Sequence, residues 1–175
     1  MLQVSQPAPS FSAMALVQGD FQERTLEDFQ GKWLCLFFYP NDFTEICPTE
    51  LIEFNAARER FANWNCAVVG ISTDSVYSHL TWTRTDERLA DLRYPLLSDT
   101  THRIARDYGI LLEDRGVTLR AAFLIDPDGI LRYQVVHDLT VGRNIEEIFR
   151  VLSALQTGEL CPAGWEQGKA TLGKA

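Results

Sequence analysis

The sequence of 175 residues has no apolar stretch long enough to cross a bilayer as a helix, and Met1 to Ala15 hold no basic segment leading into an apolar one. Neither a membrane span nor a secretion signal is therefore expected. Positive charge is scarce: sixteen Lys and Arg stand against twenty-four Asp and Glu, and the net charge of −8 disfavours nucleic acid or an anionic membrane as partner. Histidine is rarer still, and His79, His102 and His137 share no ligand spacing with the cysteines, so no metal is expected. The glycines form neither a phosphate-binding loop nor a dinucleotide fingerprint, so no nucleotide cofactor is expected. Four cysteines without paired spacing do not suggest a secreted disulfide scaffold, and a reducing, cytoplasmic setting fits best. Repeats, linkers and low-complexity segments are missing as well. What is present is a 46% apolar chain, enough for one domain over 1–175 with its own core and a C-terminal tail over 157–175.

Read in order, the chain alternates strands and helices. Gln6 to Phe11 is an extended lead-in, because its X-Pro pairs exclude helix. Phe11 to Phe21 reads as irregular strand around a Gly19-Asp20 turn, and Leu26 to Phe29 as a short helical piece stopped by Gly31. Trp33 to Tyr39 is a near-continuous apolar run, as in a strand covered on both faces. After Cys47, Leu51, Phe54, Ala57, Phe61 and Trp64 recur at helical spacing. Ala67 to Ser72 is a second buried strand, followed by a helix from about Ser75 to Ala90 capped by Asp74. Tyr94 to Leu97 is a brief strand, and Asp99 or Thr100 caps a helix ending at Gly109. Ala121–Asp126 and Ile130–His137 flank a Pro127-Asp128-Gly129 turn, and the second of these strands alternates as an edge strand does. Asn144 and Glu147 read as a capping box for a helix from Ile145 to Gln156, closed by Gly158. The fold class expected is α/β, with a central mixed sheet flanked by helices.

The stretch around Cys47 is the most informative. An apolar strand meets Pro40, leaves the sheet, and a helix opens at the cysteine with Pro48 in its first turn. First-turn amides are unpaired and favour an anion, Thr44 can offer its hydroxyl at the same entrance, and such a thiol should have a depressed pKa and be reactive. The plain alternative is a small buried hydrophobe.

Pro40, Thr44 and Cys47 spell Pro-x-x-x-Thr-x-x-Cys, and the longer run Phe-Phe-Tyr-Pro-x-Asp-Phe-Thr-x-x-Cys-Pro-Thr-Glu resembles the active-site phrase of typical two-cysteine peroxiredoxins of the alkyl hydroperoxide reductase C branch. Glu45 stands where that family most often has an aromatic. Arg120-x-x-Phe-x-Ile-Asp resembles the phrase with the family's catalytic arginine, Arg143 matches a second arginine, and Glu50 matches a glutamate that orients both. Leu160-Cys161-Pro162-x-x-Trp165 resembles the segment with the resolving cysteine, with leucine in place of the usual valine. Trp82 has a family counterpart near the site, and packing is the simpler role for it. Cys35 and Cys66 read as inert buried thiols.

The resemblance covers nearly the whole chain. It implies a thioredoxin-like fold and a thiol peroxidase free of metal, haem and flavin. Cys47 attacks hydrogen peroxide or an organic hydroperoxide and becomes a sulfenic acid; Cys161 of a neighbouring subunit forms a disulfide with it, and thioredoxin or a dedicated flavoprotein reduces that bond. Pro40 would shield the site, Thr44 would hydrogen-bond peroxide or sulfur, and Arg120 would stabilise charge. A homodimer is implied, and often a decamer. The stretch Tyr108–Glu113 lacks the Gly-Gly-Leu-Gly insert of oxidation-sensitive members and the chain has no final Tyr-Phe, so resistance of Cys47 to overoxidation is expected. Two rival readings stand beside this: a thioredoxin-like disulfide oxidoreductase, which would need the Cys-x-x-Cys that Cys47-Pro48-Thr49-Glu50 does not supply, and a holdase chaperone or redox sensor.

Overall fold

The apolar run before Pro40 forms strand β3 (Trp33–Phe38), whose last five residues are all buried. It lies near the middle of a seven-stranded sheet in the computed structural model, which describes residues 2–174. The chain divides into two compact units, residues 1–143 and 144–175. Helix α4 (Ile145–Thr157) therefore groups with the C-terminal segment, so that the second unit begins thirteen residues before the tail expected from position 157.

In the first unit, β1 (Ser12–Val17), β2 (Asp20–Thr25), β4 (Cys66–Ser72), β5 (Leu96–Ser98), β8 (Arg120–Ile125) and β9 (Leu131–His137) join β3 in the order β2-β1-β5-β4-β3-β8-β9. β3, β4 and β5 run parallel and the other pairings are antiparallel, so the sheet is mixed and thioredoxin-like. Parallel strands need crossovers, which α1 (Cys47–Asn63) and α2 (Val76–Thr85) supply.

Alternation along the central strands fills two layers. Leu34, Leu36 and Phe38 join Val69, Ile71, Ala121, Phe123 and Ile125 in one core with Ile104 from α3 (Arg103–Asp107) and Tyr108, which follows that helix. Of the residues between them, Phe37 turns to α1, stacking on Phe54 with ring centroids 4.0 Å apart and planes 12° from parallel. Tyr94 meets Phe37 edge-on at 5.6 Å. Such pairs add about 0.5–1.5 kcal/mol beyond the area they bury.

Several boundaries differ from the sequence reading. β1 and β2 form a regular hairpin whose turn is Gln18-Gly19, with φ of 51° and 92°, the left-handed pair a two-residue hairpin requires. α2 is capped by Ser75, not Asp74: the Ser75 hydroxyl accepts from the Ser78 N–H at 3.2 Å, while the Asp74 carboxylate is held by the Ser72 hydroxyl. The helix stops at Thr85 because Asp86 turns extended and caps a separate 3-10 turn, Glu87–Leu89. Asp99 does serve α3, accepting from the Ile104 and Ala105 N–H groups at 3.2 and 2.7 Å. A small hairpin, β6 (Leu111–Leu112) with β7 (Val117–Thr118), was not anticipated.

In the second unit, the Asn144 side chain accepts from the Glu147 N–H at 3.1 Å, and Gly158 at φ 65° ends α4. The capping box is half formed, since the Glu147 carboxylate pairs with Arg150. Beyond it the chain doubles back, with Leu160 N–H donating to Gly173 O and Leu172 N–H to Leu160 O, each at 2.8 Å.

Gly70 in β4 marks a close approach: a Cβ there would lie 2.8 Å from Leu96 Cδ2 and 2.9 Å from Phe37 Cζ. Gly70→Ala should lower stability by about 1–3 kcal/mol through this overpacking, measured as a shift in the urea midpoint. An unchanged midpoint would show that the Phe37 layer yields freely.

Candidate active site

Strand β3 ends against Pro40, and the chain crosses to α1 through a short connection. Cys47 is the first residue of α1, and its side chain is fully buried. The expected ring of free helix amides is reduced here. Pro48 has no N–H, and those of Thr49 and Glu50 bond to the Ile46 carbonyl at 3.0 and 3.3 Å. The donor that reaches the sulfur is instead Arg120, the first residue of β8, whose Nη1 donates to Cys47 Sγ at 3.4 Å.

Glu50, one turn along α1, fixes that guanidinium. Its Oε2 accepts from Arg120 Nη1 at 2.8 Å and from Arg143 Nη2 at 2.7 Å, and its Oε1 accepts from Arg143 Nε and backbone N–H, both at 2.8 Å. Arg120 Nε donates to Leu139 O at 2.7 Å. Arg143 Nη1 donates to Phe38 O at 2.8 Å and also to Ala121 O, and its guanidinium lies over the rings of Phe37 and Phe54 at 5.3 and 5.9 Å. The three side chains are between 1% and 4% exposed, so their charges are matched by one another rather than by water. Burial opposes ionisation of Glu50. The hydrogen bonds and charge of Arg143, with the charge of Arg120, outweigh it and hold the carboxyl below its ordinary value. Two guanidinium groups and one carboxylate leave one positive charge over, and the Cys47 sulfur faces it.

Of the residues singled out in the sequence, the structure thus brings Cys47, Glu50, Arg120 and Arg143 together. Pro40 is buried at the start of the connection. Thr44 is exposed and donates to Asn41 O at 3.0 Å, not to the sulfur. It borders a depression of about 510 Å³ with Phe43, Trp82 and Arg88. Glu45 is exposed. Trp82 is buried, its ring 6.0 Å from those of both Tyr39 and Phe43. In the second unit Cys161 is half-buried, with Sγ 3.5 Å from Thr157 Oγ1 and 3.7 Å from Ala154 O, beside a cavity of about 410 Å³. Cys35 and Cys66 are buried; burial pushes the Cys35 thiol up to about 12, and burial with the nearby Cys35 raises that of Cys66. No group of residues able to hold a metal ion occurs among those described.

The sequence reading passed over one cluster beside the site. Asp42 in the connection is buried with Tyr39 and His79, within hydrogen-bonding distance of both. The pieces lie 37 positions apart, and the only local sign was an aspartate placed two residues after Pro40.

Removing the charge from Glu50 leaves two buried guanidinium groups short of a partner. Glu50→Gln should cost about 3–5 kcal/mol of stability at neutral pH. Because the folded-state pKa of Glu50 lies below its unfolded value, the clamp contributes fully above pH ~4.3 and is lost as pH falls through the folded value. Denaturation from pH 6 to pH 3 should therefore be shallower in Glu50→Gln than in the wild type, and parallel curves would count against the clamp.

Comparison with known proteins places this geometry. Residues 4–134 match the AhpC/TSA family. The peroxiredoxin tpx1 of Schizosaccharomyces pombe is 47% identical over 178 residues, covering 98% of this chain and 93% of its own. The mitochondrial thioredoxin-dependent peroxide reductase of Drosophila melanogaster is 48% identical over 171 residues, covering 94% of this chain and 73% of its own. Among solved structures, the reduced 2-Cys peroxiredoxin of Plasmodium vivax superposes with a TM-score of 0.93 at 39% identity, over 97% of this chain and 92% of that one. The Enterococcus faecalis AhpC does so with 0.89 at 35%, over 93% and 100%. A buried cysteine at a helix entrance, an arginine donating to its sulfur, and these likenesses along the length of the chain lead to one assignment: the chain belongs to the AhpC/TSA family, as a typical two-cysteine peroxiredoxin.

Proposed function

We propose that this chain is a thiol-dependent peroxidase that reduces hydrogen peroxide and organic hydroperoxides, with Cys47 as the attacking thiol. The observation that carries the reading is the Arg120 guanidinium, held by Glu50 and donating to Cys47 Sγ. The thiolate is the nucleophile in such chemistry. Its sulfur attacks the nearer oxygen of the peroxide, an S–O bond forms as the O–O bond breaks, and the departing oxygen takes a proton to leave as water or alcohol. The cysteine is then a sulfenic acid. A fixed guanidinium beside the reacting atoms stabilises the charge that builds on the two oxygens, and its forked donors can hold them in line with the sulfur. Thr44 has oxygen lone pairs free to accept from a peroxide O–H, and Pro40 closes the strand side of the site.

The sulfenic acid then condenses with the Cys161 thiol of a neighbouring subunit, releasing water and forming a disulfide. A dithiol reductant restores both thiols by exchange. Relatives named as thioredoxin-dependent peroxide reductases favour thioredoxin as that reductant, with a dedicated flavoprotein the alternative. The intersubunit step requires at least a dimer. Strand β9 is at the sheet edge with an exposed Val136 on it, a surface suited to pairing with a second copy. A decamer built of five such dimers, working in the reducing cytoplasm, is the assembly and setting we infer.

Peroxide consumption and a non-reducing gel test the cycle together. Cys47→Ser should abolish consumption, and Arg120→Ala should slow the reaction with peroxide by about 100- to 1000-fold, as loss of a transition-state donor does. Oxidised wild type should run as a disulfide-linked dimer that is lost in both Cys47→Ser and Cys161→Ser. Consumption that survives in Cys47→Ser would sink the assignment, and a dimer band that survives in Cys161→Ser would exclude Cys161 as the second thiol.

A further inference from the structure

Between β3 and α1, the residue that ties the connection to the rest of its unit is Asp42. Its side chain is 1% exposed. Oδ1 accepts from the Tyr39 hydroxyl at 2.8 Å, Oδ2 lies 2.8 Å from His79 Nδ1, and the backbone N–H donates to Asp74 Oδ2 at 3.0 Å. The ring of His79, on α2, is wholly buried, and its Nε2 is 3.0 Å from the Leu97 carbonyl on β5. A carbonyl only accepts, so the hydrogen-bond pattern assigns a hydrogen to Nε2, and the Asp42–His79 contact holds one more proton between carboxylate and imidazole. Asp42 is thus joined through one imidazole to the backbone of β5.

Two further observations show what this join restrains. Phe43, the next residue, has φ 55° and is 57% exposed. A bulky residue in the left-handed region is held there at a cost, which release of the connection would relieve. The next buried carboxylate along the chain is Glu50, so the stretch from Phe43 to Thr49, with the buried Cys47 in it, is suspended between two fixed carboxylates. The Cys47 Sγ is enclosed, yet a disulfide requires Cα atoms within about 7 Å of each other, so a second thiol can meet it only once the stretch opens.

We propose that His79, acting through Asp42, is the positioning residue that keeps Phe43–Thr49 closed over Cys47 and so sets how often the Cys47 sulfur reaches solvent. Its consequence for turnover rests on Cys47 being the attacking thiol. The opening itself is read on reduced protein without any peroxide, so failure here and failure of the peroxidase assignment are separate results.

Asparagine and glutamine divide the two bonds of His79. In His79→Asn the amide nitrogen stands near the place of Nδ1, toward Asp42; in His79→Gln it extends to the place of Nε2, toward Leu97. Reduced wild type and both variants are alkylated with iodoacetamide under native conditions, and each cysteine is followed by peptide mass spectrometry. His79→Gln should label at Cys47 about tenfold faster than wild type, the effect of losing one charge-assisted hydrogen bond. His79→Asn should stay nearer the wild-type rate, and Cys35 and Cys66 should stay unlabelled in all three. Equal Cys47 rates in wild type and His79→Gln overturn the proposal, as does a faster rate in His79→Asn than in His79→Gln. Labelling of Cys35 and Cys66 in step with Cys47 also overturns it, because that marks general loosening rather than opening of one segment. Should His79→Gln not accumulate as folded protein, Asp42→Ala removes the same bond from the loop side. A rise at Cys47 alone then supports the proposal, and no rise overturns it.

Discussion

A carboxylate shared between two guanidinium groups, out of reach of water, is the constraint on which this molecule depends. Glu50 holds Arg120 and Arg143 at hydrogen-bonding distance, and neither arginine could be buried there without it. In a poorly solvated site such a cluster depends on matched donors and acceptors, and beside Glu50 the Leu139, Phe38 and Ala121 carbonyls take three further donors. What is left over is one positive charge, and Arg120 Nη1 directs a donor at the sulfur. The reactive geometry is therefore a by-product of solving a burial problem.

The fold brings these groups together through its strand order. β3 ends in Phe38 and leads to the cysteine, while its antiparallel neighbour β8 begins in Arg120, so the two arrive at the same edge from opposite directions. The turn after β9 returns Arg143 to that edge. Nothing mobile is needed to assemble the site; the end of the sheet is the site.

Much of this was legible in the residues, and the division follows physical range. The start of α1 was readable because Pro40, Pro48 and the apolar spacing of Leu51, Phe54 and Phe61 act locally. β3 and β4 were readable because strands covered on both faces lose their alternation. Arg120 and Arg143 lie 70 and 93 positions from Glu50, and no periodicity links them; only the likeness of whole phrases did. Where local rules competed, the reading slipped. Asp74 looked like a cap but was drawn away by Ser72 and Asp42, and Asp86 ended α2 by taking an extended backbone. The β6–β7 hairpin, with strands of two residues, is too short to leave any pattern. Thr44 shows the reverse: its place in the phrase is clear, but its hydroxyl turns to Asn41 in this arrangement.

Arg143 spends its Nη1 on the carbonyls of Phe38 and Ala121, which face each other across β3 and β8. A guanidinium thus stands where the ladder between those strands gives out, serving as a cross-tie of the scaffold and as a wall of the reactive centre. The two cannot be separated. A helix cut from here and sewn into another protein would carry the cysteine along and leave its chemistry behind.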